Sequence, residues 1–97
     1  MIIVHDIFIC RPGNASKLAK LFKEVMSGNK EFVNILTDKV GQYNKVIAVT
    51  QFESLTAFEQ NWEKEMKDTE KMKQMGEKMK GYTDMYLSGS REIYQVW

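Results

Sequence analysis

Two stretches of this chain are apolar on both alternating sets of positions, and a segment of helical periodicity lies between them. Ile2 to Cys10 places Ile3, Ile7 and Ile9 on one parity and Ile2, Val4, Phe8 and Cys10 on the other. That is the pattern of a strand covered on both faces. Pro12 and Gly13 break it, and Asn14 offers an N-cap to a helix from about Ala15 to Met26, where Leu18, Leu21, Phe22, Val25 and Met26 recur at steps of three or four. Ser27, Gly28 and Asn29 end that helix, the last two tolerating the left-handed backbone common just past a helix. Phe32 to Val40 alternates less cleanly and carries Asn34, Asp38 and Lys39, as an edge strand does when charge discourages stray pairing. Gly41 to Asn44 supply turn chemistry for a hairpin, and Lys45 to Phe52 is the second doubly apolar strand.

Ser54 then caps a long helix in which Leu55, Phe58, Trp62, Met66, Thr69, Met72, Gly76 and Met79 fall on one face. Gly76 is the expected place for a bend or break, since glycine costs about 1 kcal/mol relative to alanine inside a helix. Tyr86 to Trp97 reads as a last strand with a bulge over Ser88, Gly89 and Ser90. The order strand, helix, strand, strand, helix, strand, joined by right-handed crossovers, interleaves two split βαβ units. The first and third strands then lie at the centre of a four-stranded antiparallel sheet, where the apolarity ranking independently puts them. The predicted fold is α+β and ferredoxin-like, with residues 1–97 forming one domain. Two helices cover only one sheet face, so the second apolar face calls for a partner subunit or a ligand.

The formal charge is +1, from 14 basic and 13 acidic residues mixed along the chain. No global field draws a polyanion, which disfavours nucleic acid and anionic membrane as partners. The first ten residues contain His5 and Asp6, lack a basic lead and a small-residue cleavage site, and are too short to span a bilayer. The single cysteine, Cys10, sits in an apolar run and has no intrachain partner. Together these fit a cytoplasmic protein.

Many functions share this topology, so residues must discriminate among them. An RNA-recognition domain would need a glycine and stacking aromatics on the third strand, where the chain has Asn44-Lys45-Val46-Ile47-Ala48-Val49. A metal carrier would need paired thiols after the first strand, and Cys10 stands alone. The Arg11-Pro12-Gly13-Asn14 step into the first helix, the Gln51-Phe52-Glu53-Ser54-Leu55-Thr56-Ala57-Phe58 lead into the second, and the Arg91-Glu92-Ile93-Tyr94-Gln95-Val96-Trp97 ending match another group. With these features the chain resembles the dimeric α/β-barrel superfamily along essentially its whole length. That superfamily includes antibiotic-biosynthesis monooxygenases, haem-degrading monooxygenases, stress-responsive barrel proteins and NIPSNAP-like proteins, and the shared features do not select a branch.

The resemblance implies that two sheets pack face to face into a homodimeric barrel, and that each subunit holds a small hydrophobic or aromatic ligand between sheet and helices. It also implies a cofactor-independent monooxygenase acting on the guest's own electron-rich ring, with no bound cofactor or metal. The alternative is a non-catalytic stress-response or assembly domain. In the haem-degrading branch a tryptophan of the second helix is followed ten residues later by the iron-ligating histidine. Here that position after Trp62 is Met72, so haem binding is a lesser alternative that would rest on a thioether ligand.

Six residues are candidates for the site. His5 is the only histidine, and therefore the first choice as a base near neutral pH; its plain reading is a core or interface histidine satisfied by one hydrogen bond. Asp6 points to the other side of the same strand, so the two cannot act as an adjacent couple. Arg91 could grip a substrate carboxylate or carbonyl, although alternating Arg and Glu is usual on a solvated edge. Trp62 could form an apolar wall and Tyr86 could present a phenol, against ordinary packing for both. Met66 and Met72, with Met75, Met79 and Met85, could form an adaptable wall over a pocket, or simply the core face of a helix. The lysines from Lys64 to Lys80 are matched by nearby carboxylates, which reads as a solvated helix face.

Overall fold

A four-stranded antiparallel sheet in the order β2-β3-β1-β4 forms the base of the molecule. The computed structural model describes residues 1–97. Its elements are β1 (Ile2–Cys10), α1 (Ala15–Met26), β2 (Phe32–Thr37), β3 (Lys45–Phe52), α2 (Leu55–Lys67), α3 (Thr69–Lys78), a single 3-10 turn at Tyr82–Asp84, and β4 (Tyr86–Gln95). The doubly apolar strands β1 and β3 are central and pair directly, with Asp6 opposite Ala48 and Ile7 opposite Ile47. This is the ferredoxin-like βαββαβ arrangement, with the second helical segment divided in two.

Several local signals act through chemistry different from the simplest expectation. Gly13, with φ of 84°, makes the turn into α1 in a backbone region that side chains disfavour. Asn14 caps α1 with its main chain, its carbonyl accepting from Leu18 N at 2.9 Å. Its side chain makes no capping bond, because its backbone is already near helical values instead of the extended region that side-chain capping needs. Ser54 is extended, and its Oγ accepts from Ala57 N at 3.1 Å. The strand expected to reach Val40 stops at Thr37, where Asp38 turns the chain and its carboxylate accepts from Lys45 N at 3.0 Å. The break expected at Gly76 falls at Asp68 instead. Asp68 ends α2 with ψ of 84° and caps α3 by accepting from Lys71 N at 3.0 Å. A carboxylate able to cap a new helix outweighs the modest propensity cost of a glycine, which α3 absorbs. The β4 irregularity precedes the expected one, since Ile9 pairs with Ser88 but Cys10 with Tyr86, leaving Leu87 as the extra residue. Gly89 lies regularly opposite Phe8, and a Cβ there would meet the Phe8 ring at 3.4 Å.

The main core joins Leu18 and Phe22 of α1 to Cys10, Val46 and Ala48 of the sheet. Even-numbered residues of β1 and β3 face the helices, and odd-numbered ones face away. α1 buries its stripe, whereas α2 and α3 fully bury no residue. Trp62 is 49% exposed and Met66 52%, although both lie on the apolar face of α2. The stripe that periodicity assigns to the core thus stands over a partly empty space. On the opposite sheet face Ile3, Ile7, Ile9 and Ile47 are only half-buried and Leu36 is exposed, with no element over them.

Candidate functional site

A cleft of about 190 Å³ lies between the helix-facing side of the sheet and the α2 and α3 helices. Phe22, Met26, Met75 and Met79 give it an apolar back wall, while Asp6 and Arg91 come from the strands. Their meeting follows from register: β1 and β4 pair Asp6 with Arg91, so both side chains project from one face at the same level. Arg91 Nε donates to Asp6 Oδ1 at 2.6 Å. The guanidinium lies 5.0 Å from the centre of the Trp62 ring and 5.4 Å from that of Phe58, within the range of cation–π attraction. Phe58 is itself held edge-on by Phe52 of β3, with ring centres 5.2 Å apart. The sheet therefore anchors α2 through a guanidinium and an aromatic pair.

Only Nε of Arg91 has a protein partner. Its terminal nitrogens donate to no protein group, and one Asp6 oxygen is likewise free of such bonds. A fork of charged N–H donors beside aromatic walls is suited to a carboxylate or carbonyl oxygen on an apolar guest. Beyond Trp62 a second hollow of about 330 Å³ opens between α2 and α3, lined by Met66, Met72, Met75 and Tyr82. Glu65 and Lys71, which also line it, form a 3.3 Å ion pair across the Asp68 break.

Four of the six candidate residues thus cluster. Trp62 and Arg91 meet in the cleft, and Met66 and Met72 join Trp62 in the adjoining hollow. Tyr86 packs its ring edge-on to Phe8 at 5.0 Å and near Tyr82 at 5.8 Å, on the rim of the core. His5 is on the other side of the sheet, opposite Val49 and Glu92, with its ring 5.2 Å from that of Tyr94. It shares no cavity with Arg91 within the chain. The residues that sequence reasoning left out of the site are Asp6, Phe58 and Asn61. Asp6 was legible in principle, because a carboxylate on a central apolar strand needs a partner, but naming Arg91 required the β1–β4 register.

Two titrating groups are displaced from their ordinary values. Tyr94 is raised, first because its hydroxyl donates to a Glu92 carboxylate oxygen and then by desolvation and the adjacent negative charge. Burial pushes the Cys10 thiol up. No three carboxylate, imidazole or thiol groups converge as a metal site would require, and no helix is long and apolar enough to cross a membrane.

No protein-family model matches this sequence, and no curated protein does. Solved structures do. A NIPSNAP domain protein from Burkholderia xenovorans superposes with a TM-score of 0.80 at 9% identity, covering 100% of this chain and 95% of the other. A NIPSNAP family protein from Agrobacterium tumefaciens gives 0.76 at 16% identity, over 97% and 90% of the two chains. A Deinococcus radiodurans protein assigned to the antibiotic biosynthesis monooxygenases gives 0.59 at 13% identity, over 100% and 93%. At such identities the likeness speaks for fold and not for activity. The chain thus has the same ferredoxin-like βαββαβ fold as these NIPSNAP and monooxygenase-type structures.

Proposed function

We propose that this protein is a homodimeric barrel that binds a small apolar or aromatic molecule carrying a carboxylate or carbonyl oxygen. The observation that carries the binding reading is the Arg91 guanidinium, pinned by Asp6 and flanked by Trp62 and Phe58, with its terminal donors free beside an apolar cleft. Such a group fixes a guest's polar end while the methionines and rings accept its body. Homodimer formation is supported by the row of half-buried isoleucines on the open sheet face, an apolar surface larger than isolated exposed side chains would give.

Binding is the part of the function these residues address directly. Oxygenation of the guest, the chemistry that the superfamily resemblance suggests, would proceed without His5 of the same subunit, which lies across the sheet. A second reading, an assembly domain whose purpose is the interface, draws on the same open face and leaves the cleft without a role.

Isothermal titration with benzoate and 2-naphthoate tests the binding reading, with Arg91→Gln as the control. Saturable binding lost in the variant supports it. No binding of either acid at millimolar concentration overturns it. Sedimentation tests the dimer, which Ile7→Glu should split; a stable single chain at micromolar concentration would overturn the barrel.

A further inference from the structure

The cleft is small for a complete ligand site. Its volume of about 190 Å³ equals roughly six water molecules at their liquid volume of about 30 Å³ each, and lies below the range of about 300–1,000 Å³ typical of small-molecule pockets. It does not end at its own walls. Glu31, Phe52 and Asn61 also line an outer groove of about 540 Å³ that runs past the start of β1 and the side of α2. The shared residues make the two spaces neighbours across one rim.

The outer groove has a different chemistry. Lys30 and Lys64 are balanced there by Glu31 and Glu53, so the groove carries no net charge to recognise a phosphate. Gln60 and Asn61 of α2 add two amides, each able both to donate and to accept. None of these six side chains forms a hydrogen bond or ion pair with another protein group. Their capacity is open to a guest or to water.

Resting on the binding reading above, we infer that the natural ligand is elongate, with an aromatic acid or carbonyl head in the cleft against Arg91 and a neutral, hydrogen-bonding tail in the outer groove. The substrate class is an aromatic acid or ketone whose ring is extended by an amide, hydroxyl or similar uncharged polar group. A bare aromatic acid fills only the inner space, and a phosphorylated one meets carboxylates as well as lysines outside it.

Three probes separate these outcomes by isothermal titration: benzoate, 4-acetamidobenzoate, and 4-phosphonobenzoate. The expected order is 4-acetamidobenzoate about tenfold tighter than benzoate, with 4-phosphonobenzoate no tighter than benzoate. In the double variant Gln60→Ala/Asn61→Ala the ratio between the acetamide and benzoate should shrink towards one. Equal binding of benzoate and 4-acetamidobenzoate overturns the tail while leaving the head site intact. Tighter binding of the phosphonate overturns the neutral character of the tail, and an unchanged ratio in the double variant overturns its placement. Failure of all three probes overturns the head site itself.

Discussion

Removing the charge of Asp6 should loosen Arg91, and the size of that effect follows from the surroundings of the pair. Asp6→Asn keeps the shape and one carbonyl oxygen, so it removes little but charge; Arg91→Met keeps much of the stem and removes the guanidinium. The side chains are 26% and 40% exposed, so water screens their attraction. Exposed pairs contribute about 0.2–1 kcal/mol. The 2.6 Å charge-assisted bond and the partial cover on Asp6 place this pair at the upper end, about 1 kcal/mol of coupling. Arg91→Met also loses attraction to two rings, worth about 0.5–1 kcal/mol at such exposure. It should therefore destabilise more than Asp6→Asn does. Urea unfolding of the wild type, both single variants and the double variant, at one protein concentration, gives the coupling directly.

The same cycle repeated in 1 M salt should give a smaller coupling, because the screening length falls to about 3 Å from about 10 Å at 0.1 M. The four measurements should differ from additivity by about 1 kcal/mol at low salt, or about 4–8 °C in Tm for a chain of this size. A coupling under about 0.3 kcal/mol, within the scatter of independent sites, would mean that Asp6 does not pin the guanidinium. The fixed donor fork on which the binding reading depends would then be lost.

Leu18→Ala should cost about 3 kcal/mol, since Leu18 is fully buried at the centre of the core; against a total near 5–15 kcal/mol, a Tm drop below about 5 °C would show that the core collapses around the gap. Ser54→Ala should destabilise by about 1 kcal/mol and Ser54→Gly by only a few tenths, because the lost bond is the cap to Ala57 N; equal effects in thermal unfolding would argue against capping. Tyr94 is raised in the folded chain above its unfolded value near 10, so the neutral phenol is the form that folding favours. Its contribution is complete below pH 10 and fades as pH rises through the higher folded value. Glu92→Gln should bring the Tyr94 phenolate absorbance back towards ordinary tyrosine titration, and an unchanged curve would refute the Glu92 contact.

Much of the fold was legible because two independent patterns agreed. The double apolarity of Ile2–Cys10 and Lys45–Phe52 predicts central strands, the topology requires them, and the sheet order has them. The misses came where a side chain bonded the backbone at a point that periodicity does not weigh. Asp68 restarted a helix and Asp38 shortened a strand. The cleft was legible only in part. Trp62, Met66 and Met72 are marked by their stripe, but whether a stripe is packed or stands over a space depends on how closely the helix approaches the sheet.

That distance explains why a site occurs on this side of the sheet. α1 carries Leu18 and Phe22 directly onto β3 and the end of β1, and closes its portion of the core. α2 meets the sheet instead through side chains that act as spacers: the edge-on Phe52 and Phe58 rings at one end, and the Arg91 guanidinium against Trp62 beside it. Neither contact lets the helix settle closer without separating Arg91 from Asp6 or crushing the rings. The chain then breaks at Asp68, and α3 leaves the line of α2, so the methionines that a continuous helix would have aligned along one stripe line the cleft and the hollow from two directions. A charged group on a mostly apolar face costs desolvation that a leucine at position 91 would avoid. The same residue holds the space open and supplies the donors that line it, which a purely packed helix–sheet interface would have no use for.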